Sequence, residues 1–473
     1  MAPKLKPQRS ESLPITQVSP PPSIAPRMGL TEWAAIVAVG LAVRAFVVFV
    51  VLGKMPLVSE GEVYSVAALR FVDDFPGHGG YYLPPGNPLA LAAAYEVFGV
   101  SVTVARVFSI AMSVATVAIM ASLTRELTKD ERVVRVATWI AALYAPSVML
   151  SGQPYTQHLA ALCVAAVALF GIRAVRGRGV VNYALAGIVL GFGCLTRPSM
   201  TSLVLVVFAA SFLLLRRARE TKARLGAFAG AALFVACTAA PIVPVLFYNH
   251  HYGEGWTIST NNDRNFFLGN NKYTPNYKTS HFGQREPEQL DPEIRDYLLE
   301  LAERPNKREA MRREAITFIT QHPFITAYRT MNRATSFWGF DYIASRIIQE
   351  DRGLGTKQVL PMLALEAGSW VAVMTLVIAA VFGRAGAERD PFALKWLVAL
   401  ALAYELPYVM AFSGGSFHFP IIGLLAPIAA LAPVDGVRAL VAQMKKSRAV
   451  WVALGIFAAI QLQYAYYSLV MSG

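Results

Sequence analysis

Long apolar stretches separated by short polar connections make up most of the sequence from residue 31 onward. Stretches of about 17 to 25 apolar residues are long enough to cross the hydrocarbon core of a membrane as α-helices. About eleven such stretches are predicted: residues 31–52, 102–123, 134–151, 158–172, 181–195, 199–215, 225–248, 359–382, 392–412, 420–433 and 450–470. The fifth and sixth are so close together that they can also form one broken unit. The pattern predicts an all-α integral membrane protein.

The composition agrees with this class. Of 473 residues, 55% are hydrophobic and only 15% are charged, which is more apolar than a soluble domain of this size. The net charge is +13, but the basic residues lie in short clusters between apolar stretches, and no nucleic-acid-binding motif accompanies them. Membrane lipids are therefore expected as partners, and nucleic acid is not. The cysteines, which lie within apolar stretches, are predicted to be core residues.

The positions of Lys and Arg predict the orientation of the chain. Short loops rich in these residues stay on the cytoplasmic side of a membrane. If the N-terminus is cytoplasmic, the basic clusters around Arg125, Arg176, Arg217 and Lys445 all lie on that side. The short outer connections then carry few basic residues, among them Arg197. The charge pattern thus predicts a membrane protein with a cytoplasmic N-terminus.

Four regions follow from this topology. Residues 1–28 are predicted to be a disordered cytoplasmic tail, because they are rich in Pro and Ser and contain no apolar stretch. Residues 29–248 are predicted to contain the first seven membrane helices, with an outer loop at 53–101. Residues 249–356 are predicted to be an extracytoplasmic region, and residues 357–473 are predicted to contain the last four helices.

The first outer loop begins with two carboxylates, Glu60 and Glu62, in Val58-Ser-Glu-Gly-Glu-Val-Tyr64. A carboxylate beside hydrocarbon is costly, so this pair indicates a functional site. The residues that follow predict an amphipathic interfacial helix at 63–73 and a second short helix at 89–98. In the second outer region, residues 291–321 have a helical pattern that ends at His322-Pro323.

Several motifs occur in one order along the chain: Pro84-Pro-Gly86 with Tyr95-Glu-Val-Phe-Gly99, Leu195-Thr-Arg-Pro198, Asn261-Asn-Asp-Arg-Asn-Phe-Phe-Leu-Gly-Asn-Asn271, Ile319-Thr-Gln-His-Pro323 and Phe417-His-Phe-Pro420. Together with an acidic residue four before Tyr64, they resemble the GT-C membrane glycosyltransferases. Within that class, the pattern most resembles bacterial members akin to family 39 protein mannosyltransferases and to the lipid A aminoarabinose transferases. The resemblance implies a GT-C type bundle in a bacterial inner membrane and the transfer of a sugar from a polyprenyl-phosphate carrier to a glycan, lipid or protein acceptor.

In such enzymes the acidic residue of the first outer loop acts as general base or orients the acceptor. Glu60 holds that position here, where Asp is the commoner residue, and Glu62 is the alternative. The chemistry agrees: displacing a phosphate-linked sugar needs a carboxylate to accept the acceptor proton and donors to stabilise the departing phosphate. A single displacement inverts the anomeric centre.

The candidate substrate-binding residues are Tyr64, Tyr82, Arg197, Arg264, Asn270, Lys272 and His418. The cations are candidates for the phosphate, with Arg able to pair two oxygens at once. Asn270 is a candidate for sugar hydroxyls, and Tyr82 suits headgroup depth. His418 follows Ser416-Phe417 where relatives often have Arg-Tyr or Arg-Phe, so its phosphate role is a departure from the family pattern.

Under this hypothesis no cofactor is required. A divalent cation is optional, because no Asp-x-Asp motif lies on the outer side. Two other classes stay open. A transporter or flippase of lipid-linked sugars predicts charged residues stacked across the middle of the membrane. A non-catalytic scaffold predicts no convergent acid and cation in its outer loops.

Overall fold

The structure is a computed structural model that describes residues 26–217, 221–276, 291–304, 306–383 and 388–470. Most of the predicted N-terminal tail therefore lies outside the described residues. Within these ranges the regular elements are α-helices and short 3-10 or π-helical turns, without β-strands. The all-α class predicted from the sequence is confirmed.

Ten helices form the first membrane region and its outer loop: α1 (Leu30–Phe46), α2 (Glu60–Asp73), α3 (Gly86–Phe98), α4 (Val102–Leu127), α5 (Glu131–Leu143), α6 (Ala145–Leu150), α7 (Thr156–Val175), α8 (Val181–Thr196), α9 (Leu203–Arg217) and α10 (Thr221–His251). The second outer region contributes, in its described part, α11 (Asn261–Gly269), α12 (Pro292–Glu303), α13 (Lys307–Gln321), α14 (Pro323–Phe337) and α15 (Ile343–Arg352). The described C-terminal part contains α16 (Thr356–Phe382), α17 (Pro391–Met410), α18 (Ile422–Ala430), α19 (Val437–Lys446) and α20 (Arg448–Ala465).

Seven helical segments of the described chain are long and apolar enough to cross a membrane: Leu30–Val51, Val102–Leu127, Thr156–Val175, Arg224–His251, Thr356–Phe382, Pro391–Met410 and Arg448–Ser468. Three shorter apolar helices are Val181–Thr196, Pro198–Leu213 and Gly415–Ala430. These helices identify an integral membrane protein. The predicted count of eleven spans is not confirmed.

The predicted span at 134–151 is broken, since α5 ends at Leu143 and α6 begins at Ala145. Tyr144 between them has a non-helical ψ of 110°. Pro146 lies in the first turn of α6. Proline lacks a backbone N–H and is tolerated at the start of a helix but not in its interior, which accounts for the break. The predicted helix at 291–321 is likewise two helices, α12 and α13.

Small residues let the central spans approach closely. α7 packs between α4 and α8, and α8 packs along α10. A Cβ atom at Gly187 of α8 would lie only 2.6 Å from the carbonyl oxygen of Phe234 in α10. Within the membrane, small residues at such crossings allow backbone contact and close van der Waals packing.

The basic loops meet at one end of the bundle. Glu126, at the end of α4, is almost completely buried and accepts hydrogen bonds from Arg173, Arg176 and Arg178, each at 2.8 to 2.9 Å. Arg176 also pairs with Asp390 of α17 at 2.9 Å. Loops that the sequence assigned to the same face are therefore adjacent in space.

The two predicted outer regions join at the opposite end. The backbone N–H of Tyr81 donates to the Asn249 side chain at 2.8 Å, and the N–H of Thr260 donates to the Tyr81 carbonyl at 2.9 Å. Tyr248 donates its hydroxyl hydrogen to the carbonyl of Gly77 at 2.6 Å. The first loop is thus held against the end of α10 and the start of α11.

Candidate active site

Glu60 is the first residue of α2, and the segment before it is held by Gln153. The side-chain oxygen of Gln153 accepts from the N–H of Val58 at 3.1 Å, and its amide donates to the Pro56 carbonyl at 3.0 Å. Ser59, directly before Glu60, has a φ of 55°. A non-glycine residue in this region is strained, and such strain tends to occur at functional sites. The backbone that carries Glu60 is therefore fixed by its surroundings.

Gly61 explains the spacing of the acidic pair. A Cβ atom at this position would collide with the Gln153 side chain and would lie 3.2 Å from Cδ of Pro154. The backbone between the two glutamates thus packs directly on the connection before α7. Both glutamates are exposed on α2, and Glu60 is the member of the pair that interacts electrostatically with Arg197.

Arg197 directly follows α8 and has an extended backbone, with φ −143° and ψ 109°. Proline at position 198 disfavours the helical conformation for the residue before it, so α8 ends here. The Arg197 side chain donates from Nε to the Thr156 hydroxyl at 2.8 Å and from Nη1 to the Tyr408 hydroxyl at 3.1 Å. Its guanidinium carbon lies 5.8 Å from the centre of the Phe417 ring. Three elements therefore hold the cation in place.

Glu60 and Arg197 act on each other electrostatically without forming an ion pair. Among the described residues, no carboxylate oxygen lies within 4.0 Å of the Arg197 nitrogens. Burial raises the pKa of Glu60 above its ordinary value, and the charge of Arg197 opposes this rise. Glu60 nonetheless keeps accessible surface. Glu60 and Arg197 thus place an acid and a cation in one region, called the recess below, and no carboxylate of the described residues lies within ion-pair distance of Arg197.

Tyr64 lies one turn after Glu60 and shares the recess. Its pKa is raised by burial and by the charge of Glu60, while Arg197 and a hydrogen bond to Thr156 oppose the rise. Since both charged groups act on Tyr64, this hydroxyl lies near the acid and the cation. The structure thus brings together three residues predicted from the sequence.

Sequence reasoning missed the hydroxyl groups that complete the site. The Tyr408 hydroxyl lies 2.9 Å from Oγ of Ser199 and 3.1 Å from the Tyr404 hydroxyl. Tyr404 and Tyr408 are four residues apart on α17, so they share one face of the helix. This spacing near the outer end of a predicted span was the available signal. Thr156, at the start of α7, offered no comparable signal.

The Pro-Pro-Gly motif places the first outer loop against Arg197. A Cβ atom at Gly86, the first residue of α3, would lie 2.6 Å from the backbone nitrogen of Thr196. Asn87 donates to the carbonyl of Pro154 at 3.0 Å and is completely buried. The start of α3 therefore packs on the end of α8, directly beside Arg197.

The structure does not bring Asn270 or Lys272 to this recess through any described contact. Asn270 is buried, and its amide donates to the Met410 carbonyl at 2.8 Å while its oxygen accepts from Arg333 at 3.2 Å. Lys272 is exposed, and its Nζ lies 4.5 Å from the Tyr273 ring centre and 3.9 Å from Glu293. The amide of Asn270 is thus used within the protein.

The remaining candidates differ in their surroundings. Arg264 is half-buried on α11, and Tyr82 is 52% exposed. His418 is completely buried, with Nδ1 at 2.7 Å from the Phe337 carbonyl and Nε2 at 3.1 Å from Oδ2 of Asp341. Both ring nitrogens of His418 therefore have protein partners.

The described residues contain no group of three or more His, Cys, Asp or Glu side chains that could hold a metal ion. The cation that faces Glu60 in the recess is the Arg197 guanidinium. A planar guanidinium can hold two oxygens of a phosphate or carboxylate at once. The site as built combines a general-base candidate with an anion-binding group.

Comparison with known proteins supports the resemblance seen in the sequence. Residues 83–245 match the family model described as dolichyl-phosphate-mannose-protein mannosyltransferase, which is roughly a third of the chain. The match confirms the likeness to GT-C membrane glycosyltransferases over this segment. The segment contains Thr156 and Arg197, whereas Glu60 and Tyr408 lie outside it. No curated protein matches the chain.

Two solved structures are similar to this chain at low identity. They are crystal structures of ArnT from Cupriavidus metallidurans, one bound to undecaprenyl phosphate and one in the apo state. Both are 16% identical to this chain, and they cover 86% and 85% of it and 79% and 78% of their own length. The TM-scores are 0.39 and 0.38.

Proposed function

We propose that this protein is an inverting glycosyltransferase that moves a sugar from a polyprenyl-phosphate carrier to an acceptor at the extracytoplasmic face of the membrane. The observation that carries the proposal is the juxtaposition of Glu60 with Arg197. The two groups act on each other electrostatically, yet no protein carboxylate pairs with the guanidinium among the described residues. An anionic substrate group can therefore occupy the position opposite Arg197.

In this mechanism Glu60 accepts the proton of the acceptor hydroxyl as that hydroxyl attacks the anomeric carbon. A base works best when its pKa lies near the working pH, and burial shifts the Glu60 pKa in that direction. Arg197 binds the phosphate oxygens and stabilises the negative charge that builds on the leaving phosphate. The Tyr408 and Thr156 hydroxyls fix the guanidinium. One displacement inverts the anomeric configuration.

The donor class is supported by the matched family, whose description names a dolichyl-phosphate-linked sugar. Dolichyl phosphate is a polyprenyl phosphate, with one anionic group that Arg197 could hold. The acceptor is a glycan, lipid or protein hydroxyl that approaches Glu60 from the aqueous side. We propose that no cofactor is required and that a divalent cation is optional, since Arg197 supplies positive charge at the phosphate.

The positive-inside rule supports an orientation for the proposed site. The joined outer loops and the recess lie at the end of the bundle opposite the basic cluster around Glu126. With the basic end in the cytoplasm, the recess faces the extracytoplasmic side of a bacterial inner membrane. Polyprenyl-linked donors then enter from the membrane, and acceptors enter from the outside.

The test is incubation of the purified protein with a panel of polyprenyl-phosphate sugars and candidate acceptors, followed by mass spectrometry of both. We expect one donor to be consumed and a glycosylated acceptor to form. This activity should be lost in Glu60→Gln and kept in Glu62→Gln. Movement of an intact donor across a proteoliposome membrane without bond cleavage would instead identify a flippase. An unaffected Glu60→Gln variant would contradict the assignment of the base.

A further inference from the structure

A 3-10 turn after α17, Gly415–Ile421, carries two neighbouring side chains with different surroundings. Phe417 stacks on Tyr408 with ring centres 5.0 Å apart, and its ring lies 5.8 Å from the guanidinium carbon of Arg197. His418 is completely buried and contacts the end of α14, the following loop and α16. The turn therefore links the Arg197 site to a second cluster that the proposed mechanism does not use.

His418 is fixed on three sides. Nδ1 lies 2.7 Å from the carbonyl oxygen of Phe337, and because a carbonyl can only accept, Nδ1 carries the proton. Nε2 lies 3.1 Å from Oδ2 of Asp341. The imidazole also stacks on Trp370, with ring centres 3.5 Å apart and an interplanar angle of 12°. The ring cannot rotate without losing all three interactions.

Asp341 is equally constrained. It is completely buried, and Oδ2 accepts the hydroxyl hydrogen of Tyr144 at 2.9 Å. In the part of the chain that the structure describes, no Lys or Arg nitrogen lies within 4.0 Å of its carboxylate. Among the described residues, His418 is therefore the only basic side chain within 4.0 Å of the Asp341 carboxylate. Removing either one leaves a buried polar group without its partner, which is costly.

The contacts of His418 converge on Tyr408. Phe337, whose carbonyl holds His418, places its own ring 5.6 Å from the Tyr408 ring. Phe417, the neighbour of His418 in sequence, stacks on the same tyrosine. Tyr408 in turn accepts the hydrogen bond from Arg197 at 3.1 Å. The positions of the Phe337 and Phe417 rings, which both contact Tyr408, thus depend on His418.

We propose that Asp341 and His418 are positioning residues that hold the 3-10 turn so that Phe417 and Tyr408 fix the Arg197 guanidinium. The role of Arg197 as phosphate ligand rests on the proposed function, whereas the ordering of Tyr408 by His418 depends on no substrate. Neither positioning residue touches the reacting atoms. Their effect is expected in donor binding more than in the chemical step.

The variants are chosen to separate positioning from general stability. Asp341→Ala and His418→Ala remove the pair, whereas Asp341→Asn can still donate an amide hydrogen to Nε2 of a neutral His418. The matched control is Glu366→Gln, because Glu366 is a buried carboxylate of α16 that accepts from the N–H groups of Ala344 and Ser345 and not from the turn. If an alanine variant does not fold, His418→Gln replaces it, since it also loses the stack on Trp370.

With a polyprenyl-phosphate sugar as donor, Asp341→Ala and His418→Ala (or His418→Gln) should raise KM by about tenfold or more with a smaller change in kcat. Asp341→Asn should stay within roughly threefold of wild type, and Glu366→Gln should do the same. In an Arg197→Gln background, loss of His418 should raise KM little further, because both substitutions disturb the same phosphate-binding side chain. A KM that rises equally in Glu366→Gln and His418→Ala would overturn the positioning role.

A second readout needs no substrate. Fluorotyrosine at position 408 should give one narrow ¹⁹F resonance in the wild type and in Glu366→Gln, and broadened or multiple resonances in Asp341→Ala and the His418 variants. Identical spectra in all variants would overturn the positioning role. If the wild type transfers no sugar but the spectra change as expected, the proposed function is wrong and the positioning role stands.

Discussion

The hydroxyl of Tyr408 lies 3.1 Å from Nη1 of Arg197 and accepts a hydrogen bond from it. The tyrosine belongs to α17 and the arginine follows α8, more than two hundred residues earlier in the chain. This bond therefore connects the late helices to the segment that matches the mannosyltransferase family. It also fixes the direction in which the guanidinium faces Glu60, so its loss should be measurable as weaker donor binding.

Tyr408→Phe should reduce kcat/KM for the polyprenyl-phosphate donor by roughly 10- to 100-fold. A hydrogen bond to a charged group contributes about 1.5 to 3 kcal/mol, and each 1.4 kcal/mol is a factor of ten. Steady-state kinetics over a range of donor concentrations checks this value. Ser199→Ala is the control, because Ser199 contacts the same hydroxyl at 2.9 Å but not the arginine. Equal losses in both variants would contradict the special role of the bond to Arg197.

Glu60→Gln should lower kcat by about 10²- to 10⁴-fold, because an amide cannot accept the acceptor proton. Donor binding should change little, since Glu60 is expected to contact the acceptor and not the phosphate. Single-turnover assays with labelled donor separate the two effects. Glu62→Gln, at the second exposed glutamate of α2, is the matched control and should stay within about twofold of wild type. The reverse result would identify Glu62 as the base.

The pH dependence of kcat/KM should show an acid limb at a higher pH than an ordinary glutamate gives. Burial raises the pKa of Glu60 from its usual 4.5, with Arg197 opposing the rise. The base works only when deprotonated, so activity is present above this pKa and is lost as the pH falls through it. Arg197→Gln removes the opposing charge and should move the limb to still higher pH, whatever the residual rate. Arg264→Gln should leave the limb in place, and an unshifted limb in Arg197→Gln would argue against the pairing.

Part of this site was visible in the sequence, and the reason is chemical. Glu60 and Arg197 stand out because a charge beside an apolar span needs an explanation wherever it occurs. The Thr156 and Tyr408 hydroxyls do not stand out, since Thr and Tyr are common in membrane helices and at their ends. Which of them meets Arg197 depends on how α7, α8 and α17 pack together, and that packing has no local sequence signal.

Asn270 and His418 illustrate the opposite difficulty. Both lie in motifs that resemble those of the GT-C glycosyltransferases but fall outside the matched segment 83–245, and both have side chains suited to sugar or phosphate. Their direction is set by tertiary contacts: Asn270 bonds to the Met410 carbonyl, and His418 bonds to Asp341. Spans were easier to locate, because apolar length is a property of the sequence alone, although Pro146 divided one of them.

Asn270→Ala should lower stability more than donor affinity. The substitution removes the hydrogen bonds that the buried amide donates to the Phe266 and Met410 carbonyls and the one that its oxygen accepts from Arg333, and each hydrogen bond lost costs about 0.5 to 1.5 kcal/mol. Thermal unfolding in detergent should report a clear decrease, with KM for the donor close to wild type. Lys272→Ala, on the exposed surface nearby, should leave both quantities unchanged. A large rise in KM at unchanged stability would restore Asn270 as a sugar ligand.

Gly86→Ala should both destabilise the protein and reduce transfer. The added Cβ would lie 2.6 Å from the backbone nitrogen of Thr196 and 2.7 Å from the carbonyl carbon of Leu195, and neither backbone atom can rotate away as a side chain would. Overpacking of this kind typically costs about 1 to 3 kcal/mol. The start of α3 must then move from the end of α8, and Arg197 moves with it.

Gly226→Ala in α10 is the control, because a Cβ there meets nothing within 4 Å and alanine favours a helix. Thermal unfolding and donor KM should both change for Gly86→Ala alone. A Gly86→Ala protein with wild-type stability and KM would show that the Pro-Pro-Gly turn does not position Arg197.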